Sequence, residues 1–213
     1  MIQLDVPAIV LSLSAHGEHG AVVRLMTAQH GLQAAYVRGA RGRRMRPVLM
    51  AGNLVAARLR SRTDVQLPQA EVELTHSRGP LLGEPLPASA IEWVAALTAT
   101  ALPEGQPYPP LYQALDALLA AIEAAPAASG WGAALVRYEL LMLAELGFGL
   151  DLAGRVVPRF VRQGGPAGWG DIADGLELTG HFLLRDVLTD RSARLGAARA
   201  RLVERLRRAG GLD

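Results

Sequence analysis

The sequence predicts an α+β protein in which a small β-barrel is followed by a helical part. Residues 1–80 contain five short β-prone runs separated by glycine-containing turns, a pattern typical of a closed or partly open barrel. After the prolines at 80, 85 and 87, the hydrophobic period changes to the repeat of amphipathic helices. We therefore divide the chain into a barrel (1–80), a helical domain (81–154) and a C-terminal subdomain (155–213).

The five strands are predicted over 9–13, 21–27, 32–38, 54–60 and 65–74. Turns at 16–20 and 30–31 contain glycine and separate the first three runs. The fourth run alternates most clearly, because Val55, Ala57 and Leu59 are interleaved with arginines. Successive side chains of a strand point to opposite faces, so this run should have one core face and one basic face.

Helices are predicted over 91–101, 111–124 and 131–146, and the last of these is apolar almost all round and therefore central. Two closing helices are predicted over 182–188 and 194–208. Between 155 and 180 the pattern is poor, because glycine and proline are frequent and only Val156-Val157 and Phe160-Val161 look strand-like.

Several classes of site are disfavoured by composition. The chain has no cysteine, which excludes disulfides, thiolate zinc sites, iron–sulfur clusters and a cysteine nucleophile. His16 and His19 flank Glu18, so a metal site there is conceivable, although a glycine-rich turn is an ordinary place for such residues. No phosphate-binding loop or catalytic motif is present. We expect no metal, no cofactor and no enzymatic activity.

Charge is segregated along the chain behind a net charge of only +2. Residues 1–80 carry +5, residues 81–154 carry −7 and residues 155–213 carry +4. Every basic residue is arginine, which genome base composition alone can explain, but the guanidinium fork also suits phosphate. A basic head and tail around an acidic middle indicate polyanion binding at the ends.

The candidate phosphate-binding residues are nine arginines that lie between His19 and Thr63 with no acid among them. They are Arg24, Arg38, Arg41, Arg43, Arg44, Arg46, Arg58, Arg60 and Arg62. Gly39 and Gly42 should keep the loop that carries five of them adaptable. A solvated surface is the alternative, although such surfaces usually intersperse acids. Because Tyr36 is the only aromatic residue before Trp93, binding should be led by phosphates and indifferent to base sequence.

Several ordered blocks of the sequence resemble the RecO family of bacterial recombination mediators and DNA repair proteins. The N-terminal blocks are Ile9-Val10-Leu11, His16-Gly17-Glu18, Leu25-Met26-Thr27, His30-Gly31, Val37-Arg38-Gly39-Ala40-Arg41 and Leu49. The central blocks are Arg137-Tyr138-Glu139-Leu140-Leu141 and Leu146-Gly147-Phe148-Gly149-Leu150-Asp151. The resemblance covers about residues 5–154.

This resemblance implies an OB-fold barrel followed by a helical domain. It implies a non-enzymatic cytoplasmic protein of the nucleoid that binds single- and double-stranded DNA and anneals complementary strands. It also implies that RecR and the single-stranded DNA-binding protein are partners, and that RecA loading is the outcome. Many relatives carry a four-cysteine zinc motif after the central helix. This chain has no cysteine, so its C-terminal subdomain should be zinc-free.

A partner site is predicted on the third helix at Arg137, Tyr138 and Leu141. The single-stranded DNA-binding protein implied by the resemblance has a short acidic tail that ends in an apolar residue. Such a tail needs an apolar pocket with a cation at its rim. Arg137 is the only basic residue between Arg78 and Arg155. A salt bridge from Arg137 to Glu139 or Glu92 is the alternative.

Other interpretations of the whole chain stay open at this point. A basic barrel would equally serve an RNA- or ribosome-associated OB-fold protein. The arginine-rich last helix could lie on a membrane surface, but its apolar side has no Trp or Phe to anchor it. That helix could also be a solvated amphipathic helix or an additional DNA contact. No apolar run is long enough to span a bilayer, so we expect a soluble protein without a membrane partner.

Overall fold

The computed structural model describes residues 2–63, 66–125, 127–148, 160–161, 167–189 and 192–212. Five strands come first: β1 (Ile2–His16), β2 (Gly20–Thr27), β3 (Gly31–Val37), β4 (Leu54–Ser61) and β5 (Gln69–His76). Five α-helices follow within the described residues: α1 (Pro85–Ala101), α2 (Pro109–Ala124), α3 (Gly132–Glu145), α4 (Trp169–Phe182) and α5 (Ser192–Ala209). The predicted α+β class and its order, strands before helices, are confirmed.

The strands close into a barrel with the neighbour order β1-β2-β3-β5-β4. β1 closes the ring because its first half pairs with β4 and its second half pairs with β2, with a bulge between Val10 and Ser12 that bends it. β3 and β5 are parallel and meet at Tyr36 and Gln69, where the Tyr36 N–H donates to the Pro68 carbonyl at 2.8 Å. A small five-stranded barrel of this kind has the architecture of the OB-fold. The predicted start of the last strand, Val65, lies outside the described residues.

Alternation along β4 places apolar side chains inside the barrel and basic ones outside, as the sequence predicted. Val55, Ala57 and Leu59 are at most 3% exposed, whereas Arg58 and Arg60 are exposed. The inward residues join a core that includes Val10, Val23, Leu25, Ala35 and Leu49. This core fixes which way the arginines face, because a one-residue slip of β4 would bury them.

The basic segment after β3 is a series of hydrogen-bonded turns rather than the adaptable loop that its glycines predicted. Gly39 adopts φ +67°, and its carbonyl accepts the Gly42 N–H at 2.9 Å. The Leu49 N–H donates to the Met45 carbonyl at 3.0 Å, and Leu49 is buried in the barrel core. Buried Asn53 holds the far end by donating to the carbonyls at 47 and 48. The loop is held in place because Ala40 and Leu49 are buried in the barrel core, and Met45 and Val48 pack against that core.

The chain divides into two compact units. One consists of Met1–Glu84 with Val94–Tyr112, and the other of Pro85–Trp93 with Gln113–Asp213. The division falls within α1 and α2, so it does not follow the boundaries between helices. The three-part division predicted from composition (1–80, 81–154 and 155–213) stays a prediction.

The second unit, Pro85–Trp93 with Gln113–Asp213, contains a helix that was not predicted from the sequence. The segment predicted to be irregular includes α4, which begins at Trp169, and Phe160 and Val161 are helical rather than extended. Two glycines that look like helix breakers permit close packing instead. A Cβ at Gly175 would lie 2.7 Å from the Val136 side chain, and one at Gly180 would lie 2.2 Å from the Arg199 guanidinium. The rest of the glycine-rich stretch, including Val156-Val157, lies outside the described residues.

A buried ion pair joins the helices of this unit. The Arg199 guanidinium on α5 holds the Glu139 carboxylate on α3 at 2.8 Å, and both residues are at most 6% exposed. The Trp93 indole N–H donates to the same carboxylate at 2.7 Å, and the Thr179 hydroxyl also donates to it. Buried charges are tolerated when they are paired and hydrogen-bonded in this way.

Candidate nucleic-acid interface

The outward face of β4 carries the first group of predicted arginines. Arg58 and Arg60 point away from the core, and Arg62 is exposed just beyond the end of the strand. The two strand arginines differ in their neighbours. Arg58 lies between Asp5 on β1 and Glu71 on β5, whereas Arg60 lies between Gln3 and Gln69. Arg58 therefore has an acid directly opposite it on both neighbouring strands, whereas Arg60 has a neutral amide on both.

Arg58 is held by those acids. Its Nε donates to the Asp5 carboxylate at 2.6 Å, and its Nη1 lies 3.6 Å from the Glu71 carboxylate. The Gln3 amide also donates to Asp5 at 2.9 Å. Hydrogen bonds from Gln3 and Arg58 lower the pKa of Asp5, which keeps its carboxylate charged. The acid-free stretch of the sequence is thus not free of acids in space, so Arg58 is a poor phosphate ligand as it stands.

Five other predicted arginines are not bound to an acid in the way that Arg58 is. All five are exposed, and none makes an ion pair or hydrogen bond with another described residue. They are Arg60 and Arg62 on the β4 side, and Arg38, Arg43 and Arg44 in the basic loop. We call these five residues the open arginines. Exposed guanidinium groups of this kind are able to take phosphate oxygens without first breaking a protein contact.

Two loop arginines contribute to the shape of the loop. The Arg41 guanidinium donates to the Glu18 carbonyl at 3.2 Å, and the Arg46 Nε donates to the Arg41 carbonyl at 3.0 Å. Both side chains remain exposed. Their positive charge adds to the local potential, while their hydrogen bonds stabilise the turns that carry the open arginines.

Arg24 has a different role from the one predicted. Its side chain is 31% exposed, and its guanidinium donates to the Glu104 carboxylate at 2.9 Å and to the Ala99 carbonyl. These contacts join β2 to the end of α1 and the residues just after it, which belong to the same unit. A residue committed to an acid and a carbonyl is not placed to bind phosphate, so we leave Arg24 out of the interface.

An open groove of about 1040 Å³ lies on the barrel where β3, β4 and β5 meet. Three open arginines line it, namely Arg38, Arg60 and Arg62. Tyr36 and His16 line it as well, with their ring centroids 5.8 Å apart in an edge-to-face arrangement. Sequence reasoning missed His16 as a groove residue, because it precedes Tyr36 by two strands and no local spacing connects them.

The predicted partner-binding residues on α3 separate into exposed and buried positions. Arg137 is exposed and Leu141 is half-buried one turn later on the same face. Tyr138 is 1% exposed and lies in the core, so it cannot touch a docked peptide and we leave it out. Arg137 donates to the Phe160 carbonyl at 3.2 Å and lies 5.4 Å from the centre of its ring. Of the two acids suggested as its alternative partner, Glu139 is bound by Arg199, and the pairing with Glu92 stays a prediction.

Two further observations concern metals and membranes. Within the ranges that the structure describes, no three His, Asp or Glu side chains converge as a metal ion would require. His19 and Glu18 lie 4.0 Å apart, but both side chains are more than four-fifths exposed. In the same part of the chain, no helix combines the length and the apolar character needed to cross a bilayer.

Comparison with known proteins gives a consistent result over most of the chain. Residues 1–78 match the family described as Recombination protein O N terminal, and residues 86–194 match Recombination protein O C terminal. The chain is 39% identical to a protein named DNA repair protein RecO from Caulobacter sp. (strain K31), over 96% of this chain and 98% of that one. Proteins of the same name from Phenylobacterium zucineum and Rhodospirillum centenum are each 37% identical, over 99% and 95% of this chain and 100% and 94% of their own lengths.

Proposed function

The chain belongs to the RecO family of DNA repair proteins, and we propose that it is a non-enzymatic recombination mediator whose barrel binds DNA backbones. It binds single- and double-stranded DNA through phosphates and anneals complementary strands. With RecR, it helps RecA to load on DNA that is covered by the single-stranded DNA-binding protein. This activity belongs to the bacterial cytoplasm, at the nucleoid.

The observation that carries this proposal is the set of open arginines on one barrel. Two of them, Arg60 and Arg62, continue the outward face of β4, and the other three lie on the ordered loop after β3. Because their guanidinium groups make no ion pair or hydrogen bond with another described residue, they can take phosphate contacts without first giving up a protein contact. Binding of this type releases counterions and therefore weakens steeply as salt rises.

Backbone-led binding also explains how such a protein would anneal strands. Two single strands repel each other through their phosphates, and bound arginines reduce that repulsion. Contacts to phosphate leave base edges free, so complementary strands are still able to pair while they are held. No group in this scheme needs to make or break a covalent bond.

The test is annealing of two labelled complementary oligonucleotides, followed by energy transfer between the labels, with and without the single-stranded DNA-binding protein. Arg38, Arg60 and Arg62 are changed together to Gln, which removes three open arginines from the groove. The matched control changes Arg194, Arg201 and Arg207 to Gln, three exposed arginines of α5. Both variants lose the same charge, so they differ only in where it is lost.

We expect the groove variant to anneal slowly and the α5 variant to anneal like the parent protein. Equal losses in the two variants would mean that binding follows net charge or that α5 also contacts DNA, and either result contradicts an interface confined to the barrel. A structured RNA that displaces single-stranded DNA at lower concentration than unlabelled DNA does would favour the RNA-binding alternative.

We also propose that Arg137 and Leu141 receive the acidic C-terminal tail of the single-stranded DNA-binding protein. Arg137 provides an exposed cation and Leu141 a half-buried apolar surface one turn away on α3. Phe160 already lies against Arg137 and accepts one of its hydrogen bonds through its carbonyl. An exposed guanidinium is able to hold a carboxylate through charge-assisted hydrogen bonds, and buried Phe160 fixes where the Arg137 side chain lies.

A further inference from the structure

We infer that the Tyr36 ring, supported edge-to-face by His16, is a platform on which one unpaired nucleobase stacks, so that the groove distinguishes single strands from duplexes. This inference rests on the proposed function, because it names the form of DNA that the same groove prefers. It also modifies the expectation from the sequence, in which scarcity of aromatic residues left phosphates as the only contacts.

The Tyr36 side chain lines the groove on the outside of the barrel, in line with Arg60. Strand pairing places Arg60 opposite Gln69, and Gln69 opposite Tyr36, so the three residues form one row across β4, β5 and β3. Neighbouring strands are about 4.8 Å apart, so the backbones of Arg60 and Tyr36 are separated by roughly 10 Å. The long arginine side chain spans part of this distance, which brings a phosphate ligand and an aromatic ring within the reach of one nucleotide.

The Tyr36 ring is held in place by its neighbours on β1 and β2. Tyr36 pairs with Val22 on β2, and its ring extends sideways over Gly20. A Cβ at Gly20 would lie 2.1 Å from the Tyr36 hydroxyl oxygen, so only glycine leaves room for the ring there. The ring also contacts His16 edge-to-face, at an interplanar angle of 75°. The ring is therefore positioned before any ligand arrives, which lowers the entropy lost on binding.

A nucleobase is a suitable ligand for the exposed part of the Tyr36 ring. Tyr36 is only half-buried and lines the groove, so part of its ring is open to a flat ligand. Every nucleobase has a π-face, and stacking on an aromatic side chain tolerates any base sequence. The arginines beside the platform hold the backbone on either side of the stacked base. A base in a duplex is already stacked between its neighbours, so only an unpaired base has a free face to offer.

The experiment compares two single strands of roughly 12 nucleotides, a length within the site sizes of OB-fold proteins. One is a thymidine homopolymer, and the other has the same backbone with abasic sites throughout. Their charges are equal, so any difference in affinity for the full chain reports contact with bases. We expect the abasic strand to bind roughly 5- to 150-fold more weakly, the range that loss of one stacked base produces.

Three variants locate the contact. Tyr36→Leu should remove the preference for the base-bearing strand and leave the affinity for the abasic strand unchanged. Tyr36→Phe should keep the preference, because the Tyr36 hydroxyl has no hydrogen-bond partner among the described residues. Arg60→Gln should weaken binding of both strands by the same factor. Thermal melting of each variant checks that the barrel remains folded.

Three other results of these measurements would overturn the inference. Equal affinity of the parent protein for the two strands overturns the inference without using any variant, while leaving phosphate binding and the proposed function in place. A base preference that survives in Tyr36→Leu also overturns it, because the stacked base then lies elsewhere. Failure of the parent protein to bind either strand refutes the proposed function and this inference with it.

Discussion

Arg58 and Arg60 lie on the same face of one strand, yet the structure predicts that only one of them contributes to DNA binding. Arg58 lies opposite two acids on the neighbouring strands, Asp5 and Glu71, whereas Arg60 lies opposite two glutamines. Changing either arginine to Gln removes one positive charge from the same surface. Only Arg60→Gln, however, should remove a phosphate contact, since the Arg58 guanidinium is already bound to a carboxylate at 2.6 Å.

The magnitude follows from counterion release. Each phosphate contact on a single strand adds about 0.7 to the slope of log affinity against log salt. Arg60→Gln should flatten the slope by about 0.7, so between roughly 50 and 200 mM salt the ratio of parent to variant affinity changes by about 2.6-fold. Arg58→Gln should leave the slope unchanged. Asp5→Asn should steepen it, because Arg58 loses the acid that holds it most closely.

The assay is fluorescence anisotropy of a labelled single strand titrated at several salt concentrations. Parallel plots for parent and Arg58→Gln, with a flatter plot for Arg60→Gln, are expected. Identical flattening in the two arginine variants would refute the reasoning, because it would mean that the acids beside Arg58 do not reduce its contact with phosphate. An Asp5→Asn variant with the parent slope would contradict the same step independently.

Three other variants test separate parts of the molecule. Changing Arg43 and Arg44 together to Gln should flatten the same salt plot by about 1.4, two contacts' worth, and an unchanged plot would remove the loop from the interface. Arg199→Met should lower the free energy of unfolding by about 3–5 kcal/mol in urea titrations, because it leaves the Glu139 carboxylate buried without its cation; a loss below about 1 kcal/mol would show that the pair is not the principal support of Glu139. Arg137→Ala should weaken binding of a tail peptide of the single-stranded DNA-binding protein by roughly 1.5–3 kcal/mol in calorimetry while melting changes little, and parent affinity in that variant would reject the site.

Glycine marks where prediction from sequence alone was least secure. A glycine-rich segment ordinarily indicates turns, and so α4 was missed although Ile172, Leu176 and Thr179 recur at helical spacing and are buried. Gly175 and Gly180 lie in the helix because Val136 and Arg199 approach its backbone too closely for any side chain. The reason for these glycines lies on other helices, which no local pattern contains.

The sequence by itself determined those features that depend only on the direction of side chains along a single strand or helix. The period of two in β4 predicted its basic outer face, and the change to helical period predicted the helices that follow the barrel, because backbone geometry alone sets those directions. Only the tertiary structure decided which arginines are open. Arg58 meets an acid 53 positions away and Arg24 meets one 80 positions away, so strand register and packing, rather than local spacing, determine which charges are compensated. The same register brings Tyr36, Arg60 and His16 from three different strands to one groove, since residues become neighbours across a barrel only when it closes.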